Sequence, residues 1–137
     1  MKKIIFLLAI VIPGIALFAF KSGAKPLQAA DDLTDCLVKV KSRFGESCSL
    51  CGNSPDTYVV YIKNNCSKKL DIMIGVQEVS ESFKWWRLTT FLGVNSSDTL
   101  RAYACKGTTG KSLRWAREAG DKSISFPTQA EVNEQYK

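Results

Sequence analysis

The 137-residue sequence predicts a mainly β protein: a small antiparallel β-sandwich with a short C-terminal helix, after an N-terminal signal segment. Three observations carry this reading. A basic, then apolar leader fills residues 1–24. Beyond it, short β-branched and aromatic runs alternate with Gly-, Asn- and Ser-rich turns at about ten-residue spacing, the rhythm of an antiparallel all-β domain. The body also holds five cysteines and no histidine, a pattern that favours disulfide bracing over a metal site. With 45% hydrophobic and 23% charged residues, the chain has the balance of one globular domain. The expected boundaries are 1–24 for the signal peptide, 25–35 for a lead-in and 36–137 for a single disulfide-stabilised domain.

In the leader, Lys2 and Lys3 precede an apolar run from Ile4 to Phe20, which is followed by Lys21-Ser22-Gly23-Ala24. A positive end, an apolar run and small residues in that order make a signal peptide, with cleavage expected after Ala24. The rival is an uncleaved inner-membrane anchor over residues 4–20, since a spanning helix needs about 20 apolar residues. Pro13-Gly14 breaks such a helix halfway and favours cleavage. Leu33-Thr34-Asp35-Cys36 departs from a lipobox, because Asp35 stands where a small residue is needed and Cys36 is far from the apolar run. Either reading of the leader places the body outside the cytoplasm, in the periplasm or the medium.

Residues 36–44 fit two patterns. Cys36, Val38, Val40 and Phe44 alternate with Leu37, Lys39, Lys41 and Arg43 as in a half-buried strand, yet Leu33, Cys36, Leu37, Val40 and Phe44 also share a helical face. Strand is the expectation. Residues 45–56 collect Gly, Ser, Asn and Pro and read as a loop. Residues 57–63 and 70–79 then form two antiparallel strands around a polar connector. In the second, Leu70, Ile72, Ile74 and Val76 supply one apolar face, and Asp71, Met73, Gly75 and Gln77 the other. Residues 80–84 loop into a third strand at 85–92, rich in residues that suit a pleated surface. Residues 99–106 follow after a turn. Residues 112–119 hold good helix formers, with Gly120 as a possible stop, but the strand rhythm favours a strand. Thr128 and Glu131 have capping-box spacing, which predicts a helix over 129–136.

In an oxidising compartment Cys36, Cys48, Cys51, Cys66 and Cys105 allow at most two intrachain bridges. The expected pair is Cys66–Cys105, each at the end of a predicted strand. The second bridge joins Cys36 to Cys48 or Cys51, or Cys48 to Cys51. Cys48-Ser49-Leu50-Cys51 has redox-motif spacing, and a thiol-disulfide exchange protein is the enzymatic alternative. Gly52-Asn53-Ser54-Pro55, however, cannot continue the helix whose N-terminus generates thiolate in such enzymes. Zinc is disfavoured because Cys66 and Cys105 stand alone instead of forming a second knuckle. No metal and no cofactor are expected.

The remaining motifs narrow the function further. Lacking histidine, the chain lacks Ser-His-Asp and Cys-His catalysis. The carboxylates Asp71, Glu78, Glu81, Asp98, Glu118 and Asp121 are scattered without the spacing of an acid–base pair. Nineteen Lys and Arg against 13 Asp and Glu give +6, and Lys2, Lys3 and Lys21 supply half of that surplus. So mild an excess argues against nucleic acid. Gly107-Thr108-Thr109-Gly110-Lys111-Ser112 ends like a phosphate-binding loop, but Cys105 stands where the first Gly is needed, so it reads as a hairpin turn. Asn65-Cys66-Ser67 and Asn95-Ser96-Ser97 match the glycosylation sequon, which bears only on a eukaryotic secretory path. On a strand, Trp85 and Trp86 point to opposite faces, one inward and one more exposed. With Arg87 they form the candidate ligand-binding set, able to stack on a sugar or anchor a protein contact.

From Tyr58 to Asp121, the order Asn65-Cys66, Trp86, Tyr103-Ala104-Cys105 and Trp115-Ala116-Arg117 resembles small exported bacterial β-sandwich domains of unassigned function. That resemblance implies export and a sandwich and brings no catalytic residues. The functional expectation is an exported, non-enzymatic binding or envelope-interaction module whose partner is a protein or glycan of the cell envelope. A carbohydrate-binding domain using an exposed Trp face is the ligand-binding alternative. Membrane contact is expected only through residues 4–20, if these are retained.

Overall fold

The computed structural model describes residues 31–80, 83–106 and 109–137. Residues 1–24, expected to be a signal segment, residues 25–30 of the expected lead-in, and parts of the turns at 80–84 and 107–111 lie outside the described residues. Among the described residues, no helix is long and apolar enough to cross a membrane.

The chain is mainly β. A helical turn α1 (Asp31–Thr34) leads into β1 (Leu37–Phe44), followed by β2 (Tyr58–Asn64), β3 (Leu70–Val79), β4 (Lys84–Val94), β5 (Thr99–Ala104), β6 (Ser112–Glu118) and the helix α2 (Gln129–Gln135). The strands form two antiparallel three-stranded sheets, ordered β1-β2-β5 and β4-β3-β6. The sheets pack face to face. Leu70, Ile72, Ile74 and Val76 of β3 meet Val60 and Ile62 of β2 and Ala102 and Ala104 of β5, all without solvent exposure. Each large aliphatic side chain so buried contributes about 1.5–3 kcal/mol.

The other face of β3 is buried too. Met73 lies under Trp86, Trp115 and Val132, with Phe126 and Tyr136 packed around them, so the C-terminal segment adds a third layer over the second sheet. Alternation along β3 therefore separates two apolar interfaces rather than core from solvent. Gly75 makes this layer possible. A Cβ there would lie 3.1 Å from Leu88 Cδ2 and 3.3 Å from Trp115 Cζ3, so its absence lets the indole rest against the strand.

Strand β1 corrects the expected faces of 36–44. Leu37 is buried, whereas Val38, Val40 and Phe44 are 40%, 48% and 62% exposed. The pairing with β2 slips between Lys39 and Lys41, so Val40 is a bulge residue and the alternation changes phase across it. Lys39 takes the inner phase of Leu37 and donates to the Tyr58 hydroxyl at 3.0 Å. A bulge and exposed lysines on the edge strand are devices that blunt an open sheet edge. Phe44 stays at the mouth of the sandwich, its ring 4.8 Å from that of Tyr58.

Helix α2 forms on the capping box. The Thr128 hydroxyl accepts from the Glu131 N–H at 3.3 Å, and the Glu131 carboxylate accepts from the Thr128 N–H at 2.7 Å. The helix docks on β4 through polar contacts: the Trp86 N–H donates to Asn133 Oδ1 at 2.8 Å and the Trp86 indole donates to the Tyr136 carbonyl at 3.2 Å. It stops at Gln135, with Tyr136 as its C-cap.

Candidate functional sites

The disulfides join Cys36 to Cys66 and Cys51 to Cys105, leaving Cys48 free and buried. This replaces the expected Cys66–Cys105 pair. The reason is strand direction. In the β2–β5 ladder Tyr58 faces Ala104 at one end and Lys63 faces Thr99 at the other, so Cys66 and Cys105 leave opposite ends, separated by about 20 Å at the rise of a strand. Cys36 instead directly precedes Leu37, which pairs with Asn64, and this brings it to Cys66 with Cα atoms 5.1 Å apart. The second bridge ties the β1–β2 connection to the end of β5, also at 5.1 Å.

That connection reaches the side chains of Tyr61 on β2 and Arg101 on β5. The Tyr61 hydroxyl donates to the Glu46 carboxylate. This bond to an anion, reinforced by burial and by the Glu46 charge itself, raises the Tyr61 pKa. Arg101 reaches Glu46 at 3.9 Å and donates to the Ser47 carbonyl. Beside these contacts a pocket of ≈ 490 Å³ is lined by Ser47, Cys48, Ser49, Leu50, Arg101 and Tyr103, among others. Nothing in the sequence marks Glu46, Tyr61 and Arg101 as neighbours, because their meeting depends on how a turn-rich segment folds back.

Trp85, Trp86 and Arg87 do not present an open aromatic face. Trp86 is 3% exposed, with its indole N–H used by α2. Trp85 is half-buried, and the Arg87 guanidinium lies 5.5 Å from its ring and 5.4 Å from that of Tyr103. Arg87 Nε in turn donates to buried Glu78 at 3.0 Å. The expected inward-outward split of the two tryptophans is therefore present, but Trp86 is the edge of a different site. A second pocket of ≈ 490 Å³ lies between β3, β4, β6 and the end of α2. Its lining includes Trp86, Tyr136 and Leu113 together with Lys84, Lys111 and Lys137, with no Asp or Glu among the described lining residues. The buried Gln77 also lines it and accepts from the Thr109 hydroxyl. Lys84 adjoins the tryptophans in the chain, but nothing in the sequence points to Lys111 and Lys137, which come from a turn and the far end of the chain.

Of the candidate carboxylates Glu81 lies outside the described residues, and the other five are engaged by the fold. Asp71 pairs with Arg117, Glu78 with Arg87, Asp98 with the backbone and side chain of Asn95, Glu118 with Lys68, and Asp121 with Ser123. The Ser123 hydroxyl and N–H hold the Asp121 carboxyl below its ordinary range. Among the described residues, no group of three or more His, Cys, Asp or Glu side chains is placed to hold a metal ion.

Comparison of the chain with protein-family models, characterised proteins and solved structures found no match.

Proposed function

We propose that this chain is an exported, disulfide-braced binding module without enzymatic activity, and that its partner is an acidic segment of an envelope protein received in the Trp86 pocket. The observation that carries this reading is the lining of that pocket: three lysines and the rings of Trp86 and Tyr136, with no Asp or Glu among the described lining residues. An acidic side chain of a partner placed there would face the ammonium groups of Lys84, Lys111 and Lys137. Such complementarity governs encounter and selectivity more than raw affinity. The leader, the paired cysteines and the resemblance to exported bacterial domains support the compartment.

The test is a titration with oligoglutamate at low and moderate salt, read by tryptophan fluorescence. Wild type should bind with an affinity that falls as salt rises, and Lys84→Glu/Lys111→Glu should weaken binding about tenfold or more, the scale of a reversed close charge pair. No binding by the wild type, or equal binding by both, rejects the acidic ligand; preferential binding of neutral glycans on an array replaces it with a carbohydrate. Osmotic-shock fractionation tests the compartment, with a mature chain beginning at Lys25 expected in the released fraction.

A further inference from the structure

Three cysteines, Cys48, Cys51 and Cys105, lie where the β1–β2 connection is tied to the end of β5. Cys48 carries a free thiol, and three residues on, Cys51 is bonded to Cys105. A single 3-10 turn, Ser49–Cys51, joins the two halves of the motif. The N–H groups of Cys51 and Asn53 both donate to the Cys48 carbonyl at 3.0 Å. A turn closed in this way holds the first and fourth Cα atoms within about 7 Å, close to the span that a disulfide bridges. Cys48, though buried, also lines the ≈ 490 Å³ pocket.

The surrounding segment is held by contacts other than the bridge. The Gly45 N–H donates to the Thr57 carbonyl at 2.9 Å, the Ser47 hydroxyl to Asn53 Oδ1 at 2.7 Å, Arg101 to the Ser47 carbonyl, and Tyr61 to Glu46. Breaking the link to Cys105 therefore leaves the turn in place.

We propose that Cys48, Cys51 and Cys105 form an internal exchange unit in which the bridge moves between Cys51–Cys105 and Cys48–Cys51. The Cys48 thiol gives its proton to water, and the resulting thiolate attacks Cys51 Sγ. The Cys48–Cys51 bond forms as the Cys51–Cys105 bond breaks. The electron pair leaves on Cys105 Sγ, which takes a proton from water. Each side of this step holds one disulfide and one thiol, so neither oxidant nor reductant is consumed, and the chemistry is ordinary thiolate attack on a disulfide. The thiol moves from a buried position to half-buried Cys105 at the end of β5, whose N–H donates to Glu78. The Cys36–Cys66 bridge takes no part, because it closes the opposite end of the first sheet. This proposal does not depend on the acidic-ligand reading.

The test uses the oxidised full chain, held at mildly alkaline pH without added thiol, quenched in acid, denatured and alkylated, then mapped by mass spectrometry without reduction. The expected label is one group per chain, divided between Cys48 and Cys105, with Cys51 recovered in both linkages and Cys36–Cys66 intact. Cys48→Ser should take no label. Cys105→Ser, refolded in a glutathione redox buffer, should contain the Cys48–Cys51 bond. Label on Cys48 alone in the wild type overturns the proposal. So does recovery of Cys48 and Cys51 as separate thiols in Cys105→Ser, and so does spread of label to Cys36 or Cys66, which would mean general scrambling.

Discussion

Asn64 ends β2 with no exposed surface, and its side chain joins parts of the chain that no strand ladder connects. Its Nδ2 lies 3.2 Å from the carbonyls of Lys68 and Val94 and 3.1 Å from that of Asn95, while its Oδ1 accepts from the Cys66 N–H at 2.9 Å. The β2–β3 connector and the β4–β5 turn are thus fastened to one amide across the two sheets. Truncation leaves several buried backbone groups unpaired, each costing about 1–3 kcal/mol. Asn64→Ala should therefore lose about 3 kcal/mol in urea unfolding, and a loss under about 0.5 kcal/mol would contradict the role given to this side chain. Asp71 does similar work in charged form. Burial by itself pushes its carboxyl up, but the N–H groups of Gly93 and Gly120 and the Arg117 guanidinium outweigh burial, and its pKa is lowered. A folded pKa below the unfolded one gives stability that is present above the unfolded value, near 3.9, and lost as pH falls through the folded value. Between about pH 6 and pH 2, Asp71→Asn should lose less stability than wild type; parallel acid profiles would refute this.

Helix α2 spans only Gln129–Gln135, too short to persist alone in water. It exists because Val132 is buried against Met73, Trp86 and Trp115 and because Thr128 and Glu131 satisfy its first turn. The Thr128 N–H and hydroxyl, both donating to Glu131, hold that carboxylate below its ordinary pKa. Thr128→Ala should cost about 1 kcal/mol, the usual loss for an N-cap, and should speed amide exchange in α2 while leaving β2 and β5 protected. Uniform loss of protection would mean that the helix is integral to the sandwich rather than laid upon it. These elements also show what a sequence makes legible. Leu70, Ile72, Ile74 and Val76 announce a strand, and Thr128-x-x-Glu131 announces a helix start, because both signals depend on neighbours within one element. The faces of β1 were misread because a bulge at Val40 resets the period locally, and only the partner strand reveals it. Lys111 and Lys137 join Trp86 through three elements far apart in the chain, which no spacing rule records.

At the scale of the molecule, the two bridges fasten opposite ends of the first sheet, and the pairing follows from antiparallel order rather than from distance along the chain. Their sequence separations are 30 and 54. Loop-closure entropy for spans of these lengths gives about 3.7 and 4.2 kcal/mol of stabilisation. The loops overlap only between Cys51 and Cys66, so closing one shortens the other little, and the contributions should be close to additive. Their sum, about 8 kcal/mol, is comparable to the entire stability of a typical domain, about 5–15 kcal/mol. A graded response follows. Cys36→Ser/Cys66→Ser and Cys51→Ser/Cys105→Ser should each unfold cooperatively at lower urea than wild type. The variant with all four serines should lose its near-ultraviolet dichroism at 37 °C, and reduction of the wild type should do the same. A four-serine variant within about 2 kcal/mol of wild type would show that the apolar layers suffice without sulfur. That outcome would also remove the reason this chain would need an oxidising compartment, since its fold would then survive equally well among reduced thiols.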